Sequence, residues 1–425
     1  MSSYAFSILF LVFLALTLGL RFWLAARQLR HVRAHRAAVP PEFAEKIALA
    51  SHQKAADYTA AKTGLGLVEL VFSFAVLIGF TLLGGLNWIS TTLLAYTAPG
   101  IGHQMALLVA FAVVSGVLDV PFGYYRQFVL EERFGFNKMT RGLWLADMVK
   151  GMLVGAVIGL PLVWVVLTLM EKTGPLWWLY AWLVWTGFQL LMMVLYPTVI
   201  APLFNKFTPL ADDSLKARIE GLMARVGFAS KGLFVMDGSK RSAHGNAYFS
   251  GFGANKRIVF FDTLLARLSP EEIEAVLAHE LGHFKLRHII KRIAVMFAVS
   301  LGFLALLGYL KGQVWFYTGL GVEPMLGANN DGMALILFML ALPVFTFVLS
   351  PLTSISSRKH EFEADAFAAT HTDARDLVSA LVKMYDDNAS TLTPDPLHSA
   401  FYDSHPPASV RIRQLRLQSS HLAAT

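Results

Sequence analysis

Apolar residues in this chain run in long uninterrupted stretches instead of alternating with polar ones. Seven such stretches stand out: Tyr4–Ala26, Leu67–Trp88, Ile101–Phe122, Gly151–Met170, Leu176–Ile200, Ile289–Leu310 and Met333–Leu352. A helix needs about 20 apolar residues to cross the hydrocarbon of a bilayer, so each stretch is read as a membrane span. Two mixed segments, 205–288 and 356–425, are polar enough for water. The pattern therefore divides the chain into a five-span region (1–204), a soluble segment (205–288), spans six and seven (289–355) and a soluble tail (356–425). No internal repeat interrupts this order.

Composition agrees with the pattern. Hydrophobic types make up 55% of the residues and charged types 15%, well below the roughly 25% charged of soluble domains. No Lys or Arg precedes the first stretch, which predicts an uncleaved span and not a cleaved signal. There is no cysteine, so neither disulfides nor thiol chemistry are available.

Charge then orients the spans. Arg27, Arg30, Arg33, Arg36, Lys46, Lys54 and Lys62 follow the first span. Arg126, Arg133, Lys138, Arg141 and Lys150 follow the third. The alternate loops carry only Lys172 and Lys311. The positive-inside rule places the basic loops, both soluble segments and the C-terminal tail in the cytoplasm. A net charge of +7 is then explained by loops facing anionic lipid, and no nucleic-acid partner is implied. Glu69 and Asp119 lie at or within spans, where a charge needs either a wet chamber or an ion-pair partner.

The soluble segment holds the chemistry. Ser269-Pro270-Glu271-Glu272 predicts a helix start, with Ser269 as cap, Pro270 at the first helical position and Glu272 closing a capping box. On this helix follow His279, Glu280, Leu281, Gly282 and His283. Histidines four apart share a helix face and can grip one metal ion. Glu280, beside the first of them, is placed to take a proton from water. Uncoordinated histidines on so apolar a helix would be costly, so a merely structural pair is disfavoured.

A third ligand close behind His283 is excluded. The metzincin pattern wants a glycine and a histidine where this chain has Leu286 and Ile289. A thermolysin-like glutamate some twenty residues on would fall in the sixth span, which has no carboxylate. The stretch from Ser357 to Phe367 reads as a helix leaving the last span, with Glu361 and Asp365 on one face. One of the two can bind the metal while the other orients a ligand imidazole. We take Glu361 as ligand and Asp365 as orienter. Glu363 points nearly the opposite way, and the helical wheel leaves it without a role.

Further landmarks surround these residues: Phe134-Gly135-Phe136-Asn137, Tyr196-Pro197, Ile200-Ala201-Pro202-Leu203-Phe204-Asn205, Arg241-Ser242, His244, Asn246-Ala247-Tyr248-Phe249, Glu361-Phe362 and Ser404-His405-Pro406-Pro407. In this order they resemble the type I CAAX prenyl proteases, integral-membrane zinc enzymes that also process a-factor and prelamin precursors. The resemblance implies an all-α multi-pass membrane protein, a barrel-like bundle of about seven helices around a water-filled chamber. It adds a small α+β, gluzincin-like metalloprotease domain facing the cytoplasm. It implies one zinc ion per chain on His279, His283 and Glu361, Glu280 as general base, and Asp365 behind the ligands. By the same carry-over, Asn246, Ala247, Tyr248 and Phe249 hold substrate backbone, and His405 assists near the scissile bond. Gly245 stands where the family has serine, and Val410 where it has glutamate.

The expected function is peptide hydrolysis by a membrane-embedded zinc metalloendopeptidase. Its partners are the bilayer and a peptide or protein substrate, in this family a prenylated C-terminal segment losing its last three residues. Quality control of membrane proteins is an alternative. A channel or transporter with a structural zinc is disfavoured, since such a site wants a fourth protein ligand where this motif offers a glutamate suited to activating water. The intact Glu280 speaks against an inert scaffold. Short outer loops and no Lys-Asp-Glu-Leu retrieval signal point to a bacterial inner membrane; for a eukaryotic host the expected membrane is that of the endoplasmic reticulum. Function as a monomer is expected.

Overall fold

The computed structural model describes residues 1–250, 256–325 and 327–422. Seven helical stretches are long and apolar enough to cross a membrane: Ser3–Ala34, Leu49–Phe80, Ile101–Glu131, Arg141–Lys172, Gly174–Phe204, His288–Leu310 and Asp331–His371. Each coincides with one of the apolar stretches, but most overrun it. The second begins at Leu49, so Lys54 and Lys62 ride on a helix that continues out of the apolar region. It also ends sooner, at Phe80. Gly84, at a φ of 78° that suits glycine, turns the chain into a separate short helix, Gly85–Leu94.

Prolines shape three of the spans. Pro197 has no N–H to donate and lies in a π-helical turn, Tyr196–Ile200. Pro121 precedes a second π turn, Arg126–Glu131. In the last span Pro343 sits just before a 3₁₀ turn, Phe347–Leu349, that joins Asp331–Thr346 to Ser350–His371. The last span therefore delivers Glu361 and Asp365 into the soluble region on a continuous helix.

Packing is concentrated at the two ends of the bundle. One core gathers Phe10, Leu77, Leu86, Leu107, Leu167, Trp177, Leu307 and Leu337. The other gathers Ile219, Leu222, Phe260, Leu277, Leu281, Leu381 and Ile412, with Phe43 and Ile47 from between the first two spans. The fourth span buries only Leu167 and Met170, and Trp177 and Ala181 are the buried residues of Trp177–Leu195, all four in the first of these cores. Val157, midway along the fourth span, is 73% exposed. Spans tied at their ends and loosely packed between them leave room inside. Glu69 shows what that room does: it pairs with Arg126 at 2.5 Å and lines a cavity of about 430 Å³ with Arg21 and Lys62. Asp119 is exposed.

The soluble region carries a four-stranded sheet in the order β1-β2-β4-β3. The strands are β1 (Phe207–Pro209), β2 (Leu233–Met236), β3 (Ala247–Ser250) and β4 (Arg257–Phe261). β2 and β4 run parallel, and the outer pairings are antiparallel. Ile258, Val259 and Phe260 are all buried, as a strand covered on both faces requires. β3 pairs with β4 alone among the described residues and forms an edge of the sheet.

Candidate active site

The helix Pro270–Lys285 starts on the expected capping box. Ser269 Oγ accepts from Glu272 N at 3.3 Å, and Glu272 Oε2 accepts from Ser269 N at 2.8 Å. Ile273, Leu277, Ala278 and Leu281 bury one side of it in the soluble core. That burial fixes the opposite side, which bears His279 and His283.

The helix Ser350–His371 lies against it at unusually close range. A Cβ on Gly282 would come within 3.0 Å of Ala364 Cα and 3.1 Å of Phe367 Cβ. Glycine at 282 is therefore what lets Glu361 reach both imidazoles. We predict that Gly282→Val forces the helices apart and costs about 1–3 kcal/mol as an overpacked core. Metal content and thermal midpoint should fall together, and a metal-replete variant of unchanged midpoint would refute the argument.

Three donor groups converge. His279 Nε2 and His283 Nε2 are 3.3 Å apart. Glu361 Oε2 lies 3.5 Å from His279 Nε2, and Glu361 Oε1 3.3 Å from His283 Nε2. Donors each about 2.0–2.2 Å from a tetrahedral ion would be separated by roughly 3.3–3.6 Å. Glu361 Oε2 is buried and accepts no hydrogen bond from the described residues; the Arg411 guanidinium stands off at 3.6 Å, which leaves a lone pair of this oxygen for a closer cation. The donor set and spacing fit a metal ion.

Asp365, one turn beyond Glu361, accepts from His279 Nδ1 at 2.9 Å, leaving Nε2 free to face the ion. Burial works to lower the pKa of His279, but Asp365 and Glu361 outweigh it and hold the imidazole up to about 9. The pocket favours positive charge, and a metal held by His279 would take the place of that proton.

Arg411 completes the arrangement and was not among the expected residues. Buried beneath the site, it donates to Asp365 through Nε at 2.9 Å and Nη2 at 2.6 Å, with Nη1 3.6 Å from Glu361. Such a two-pronged pair holds Asp365 ionised and in place. Val410 beside it is exposed, whereas Arg411 itself is buried. An arginine following a proline-rich turn carries no ligand signal of its own, which is why sequence reasoning passed over it.

The site opens into a cavity of about 710 Å³ whose walls include Asn246, Glu280, Tyr385, His405 and Arg411. His405 Nε2 stands 3.4 Å from Glu361 Oε1, and its Nδ1 is 2.9 Å from Ser404 Oγ. Burial lowers the His405 pKa, with Arg411 adding to the effect and Glu361 opposing it, so a neutral imidazole is favoured. Asn246 leads into β3, where Ala247, Tyr248 and Phe249 pair with β4. Gly245 N donates to Asn388 Oδ1 at 3.2 Å, and His244 Nδ1 lies 3.1 Å from the same atom. The strand's entry is thus pinned despite the glycine.

Glu363 departs from the helical-wheel expectation. It meets His288 Nε2 at 2.8 Å, and His288 Nδ1 lies 3.1 Å from His283 Nδ1. The wheel described one helix, whereas His288 reaches this face from the start of the next.

Known proteins share this layout. Residues 28–206 match the family model described as CAAX prenyl protease N-terminal, five membrane helices, and residues 209–419 match peptidase family M48. A CAAX prenyl protease 1 homolog from Arabidopsis thaliana is 41% identical over 74% of this chain and 73% of its own. CAAX prenyl protease 1 from Saccharomyces cerevisiae is 35% identical over 89% of this chain and 88% of its own. The Homo sapiens homolog is 32% identical over 94% and 93% respectively. The crystal structure of Ste24p from S. mikatae superposes with a TM-score of 0.91 at 31% identity, covering 96% of this chain and 99% of that one. Matched along most of its length by both models and by relatives over most of theirs, the chain belongs to peptidase family M48 with the CAAX prenyl protease membrane module, and is a multi-pass membrane metalloprotease.

Proposed function

We propose that the chain hydrolyses peptide bonds with one zinc ion held by His279, His283 and Glu361, and that its substrates include C-terminal segments of prenylated CAAX proteins. The observation that carries the zinc site is the triangle of donors with 3.3–3.5 Å sides beside Glu280, opening into the large cavity. Two imidazoles and a carboxylate suit zinc and leave a fourth position for water or substrate. Bound there, zinc supplies Lewis acidity that makes water a nucleophile near neutral pH.

The chain's own groups do the rest. Glu280 accepts a proton from the attacking water and returns it to the leaving amine. The Ser404 hydroxyl can donate to Nδ1, which lets His405 carry its proton on Nε2 and donate to the oxygen that gains charge on the scissile carbonyl. Asn246 and β3 offer an open strand edge to an extended peptide, which gives affinity through backbone pairing with little side-chain selection. Asp365 keeps His279 in the ligating tautomer.

The CAAX substrate is supported by the names of the relatives and by a cavity lined partly by Gln28, Tyr58 and Thr63, on the parts of the first two spanning helices that continue out of their apolar stretches. A cavity walled by the ends of spanning helices lies next to the bilayer, where a lipid-anchored substrate would be held. Quality control of membrane proteins would use the same opening. Mapping the products of purified enzyme on farnesylated CAAX peptides and their unprenylated counterparts decides between the two. Loss of the last three residues only from the prenylated set supports the first, and equal cleavage of both sets refutes it.

We further propose that the fourfold division at 204/205, 288/289 and 355/356 marks functional segments, and that one chain suffices for activity. We also propose that the site faces the cytoplasm, of a bacterial inner membrane or, in a eukaryotic host, of the endoplasmic reticulum. The basic loops support this orientation, because Arg27 to Lys62 and Arg126 to Lys150 lie at the catalytic end. Reporter fusions at Lys54 and Lys138 should read cytoplasmic, and one near Ala95 should read from the opposite side. A Lys138 fusion reading external would move the site across the membrane.

A further inference from the structure

Each candidate metal-binding imidazole needs a partner for its second nitrogen. His279 has Asp365. His283 faces a second histidine, His288, with the two Nδ1 atoms 3.1 Å apart. His288 is 1% exposed, and its other nitrogen, Nε2, lies 2.8 Å from Glu363 Oε2. The turn that brings His288 here is itself unusual: Arg287 adopts a φ of 58°, a left-handed conformation uncommon for a residue with a side chain. That turn folds the start of the sixth span back against the end of the metal helix.

Proton bookkeeping allows one consistent arrangement with a metal on His283 Nε2. His283 Nδ1 must then carry its proton and donate to His288 Nδ1. His288 accepts there, so its own proton sits on Nε2 and is donated to Glu363. Every nitrogen along the chain is satisfied, and the series ends on a carboxylate able to hold it.

We infer that His288 and Glu363 form a hydrogen-bond relay that sets the tautomer and ring orientation of His283, as Asp365 does for His279. The inference rests on the proposed reading of His283 as a metal ligand.

A second metal ion is the rival use of these residues, because donor atoms of His288, His360 and Glu363 also lie within 4.8 Å of one another. Three observations disfavour it. The His288 and His360 rings are stacked 4.0 Å apart at an interplanar angle of 14°, so their lone pairs run in parallel planes instead of converging. Lys291 and Arg292 are within electrostatic reach of His360, and Lys359 Nζ is 3.9 Å from Glu363, an unfavourable setting for a cation. Finally, a metal on His288 Nε2 would put the His288 proton on Nδ1, head to head with the proton of His283.

The test uses the full-length protein in detergent and measures the zinc dissociation constant by chelator competition, with kcat and KM alongside. Loss of an orienting partner typically weakens metal binding about 10–100-fold. His288→Ala should fall in that range and Glu363→Ala near its lower end, both with KM little changed. Glu363→Gln, which keeps an oxygen to accept from His288, should bind zinc within a few-fold of the unaltered protein. Because Glu363 acts through His288, adding Glu363→Ala to His288→Ala should change nothing further. His288 is buried and its variant can misfold, whereas Glu363 is partly exposed and tests the relay independently.

Unchanged zinc affinity in Glu363→Ala, or effects of the two changes that simply multiply, would overturn the relay. So would two zinc ions per chain with one lost on removing His288. If the unaltered protein binds no zinc and His283→Ala changes nothing, the underlying ligand reading fails instead, and the two failures are distinguishable.

Discussion

Glu280→Gln is expected to keep its full complement of metal and to lose at least about 100-fold in kcat, the lower range for a general base. The substitution is nearly isosteric, but an amide cannot accept the proton that the attacking water must shed. Metal retention follows from the contacts on the page. His279 is held by Asp365, His283 faces His288, and Glu361 lies between the two imidazoles, with Glu280 taking no part in these contacts. Metal analysis and turnover on the same preparation check both halves. A variant retaining more than about a tenth of the normal rate would remove Glu280 from proton transfer. A variant that lost its metal would make it a structural group.

The same contacts show why some of the molecule could be read from sequence and some could not. Hydropathy located all seven helices that, among the described residues, are long and apolar enough to cross a membrane, because a bilayer imposes a length of apolar residues. It misjudged ends. The polar start of Leu49–Phe80 is helical all the same, and the turn at Gly84 hides inside an apolar run. The capping box at Ser269 and the His279–His283 spacing are local geometry, legible within a dozen residues. Glu361 and Asp365 were legible as a pair because one helix carries both. Arg411 and His288 were not, since their roles depend on where other helices dock. The wheel left Glu363 idle for the same reason: it describes a helix alone, and the partner arrives from elsewhere.

Docking also separates the two carboxylates, which the wheel could only pair. Glu361 supplies both oxygens to the donor triangle, while Asp365 reaches only the far nitrogen of His279 and is clamped by Arg411. Removing Glu361 leaves two imidazoles, so Glu361→Ala is expected to emerge from dialysis essentially free of metal. Asp365→Ala should bind zinc about 10–100-fold more weakly, recover it when the metal is in excess, and still turn over slowly. It also strands the Arg411 guanidinium in a buried site, and breaking a buried pair from one side costs about 3–5 kcal/mol. Its thermal midpoint should therefore drop further than that of Glu361→Ala, even where its metal content is higher. That crossing of two observables is the diagnostic result. Metal content after dialysis and thermal midpoint, measured on both variants, read it directly. A metal-replete Glu361→Ala beside a metal-free Asp365→Ala would exchange the two roles.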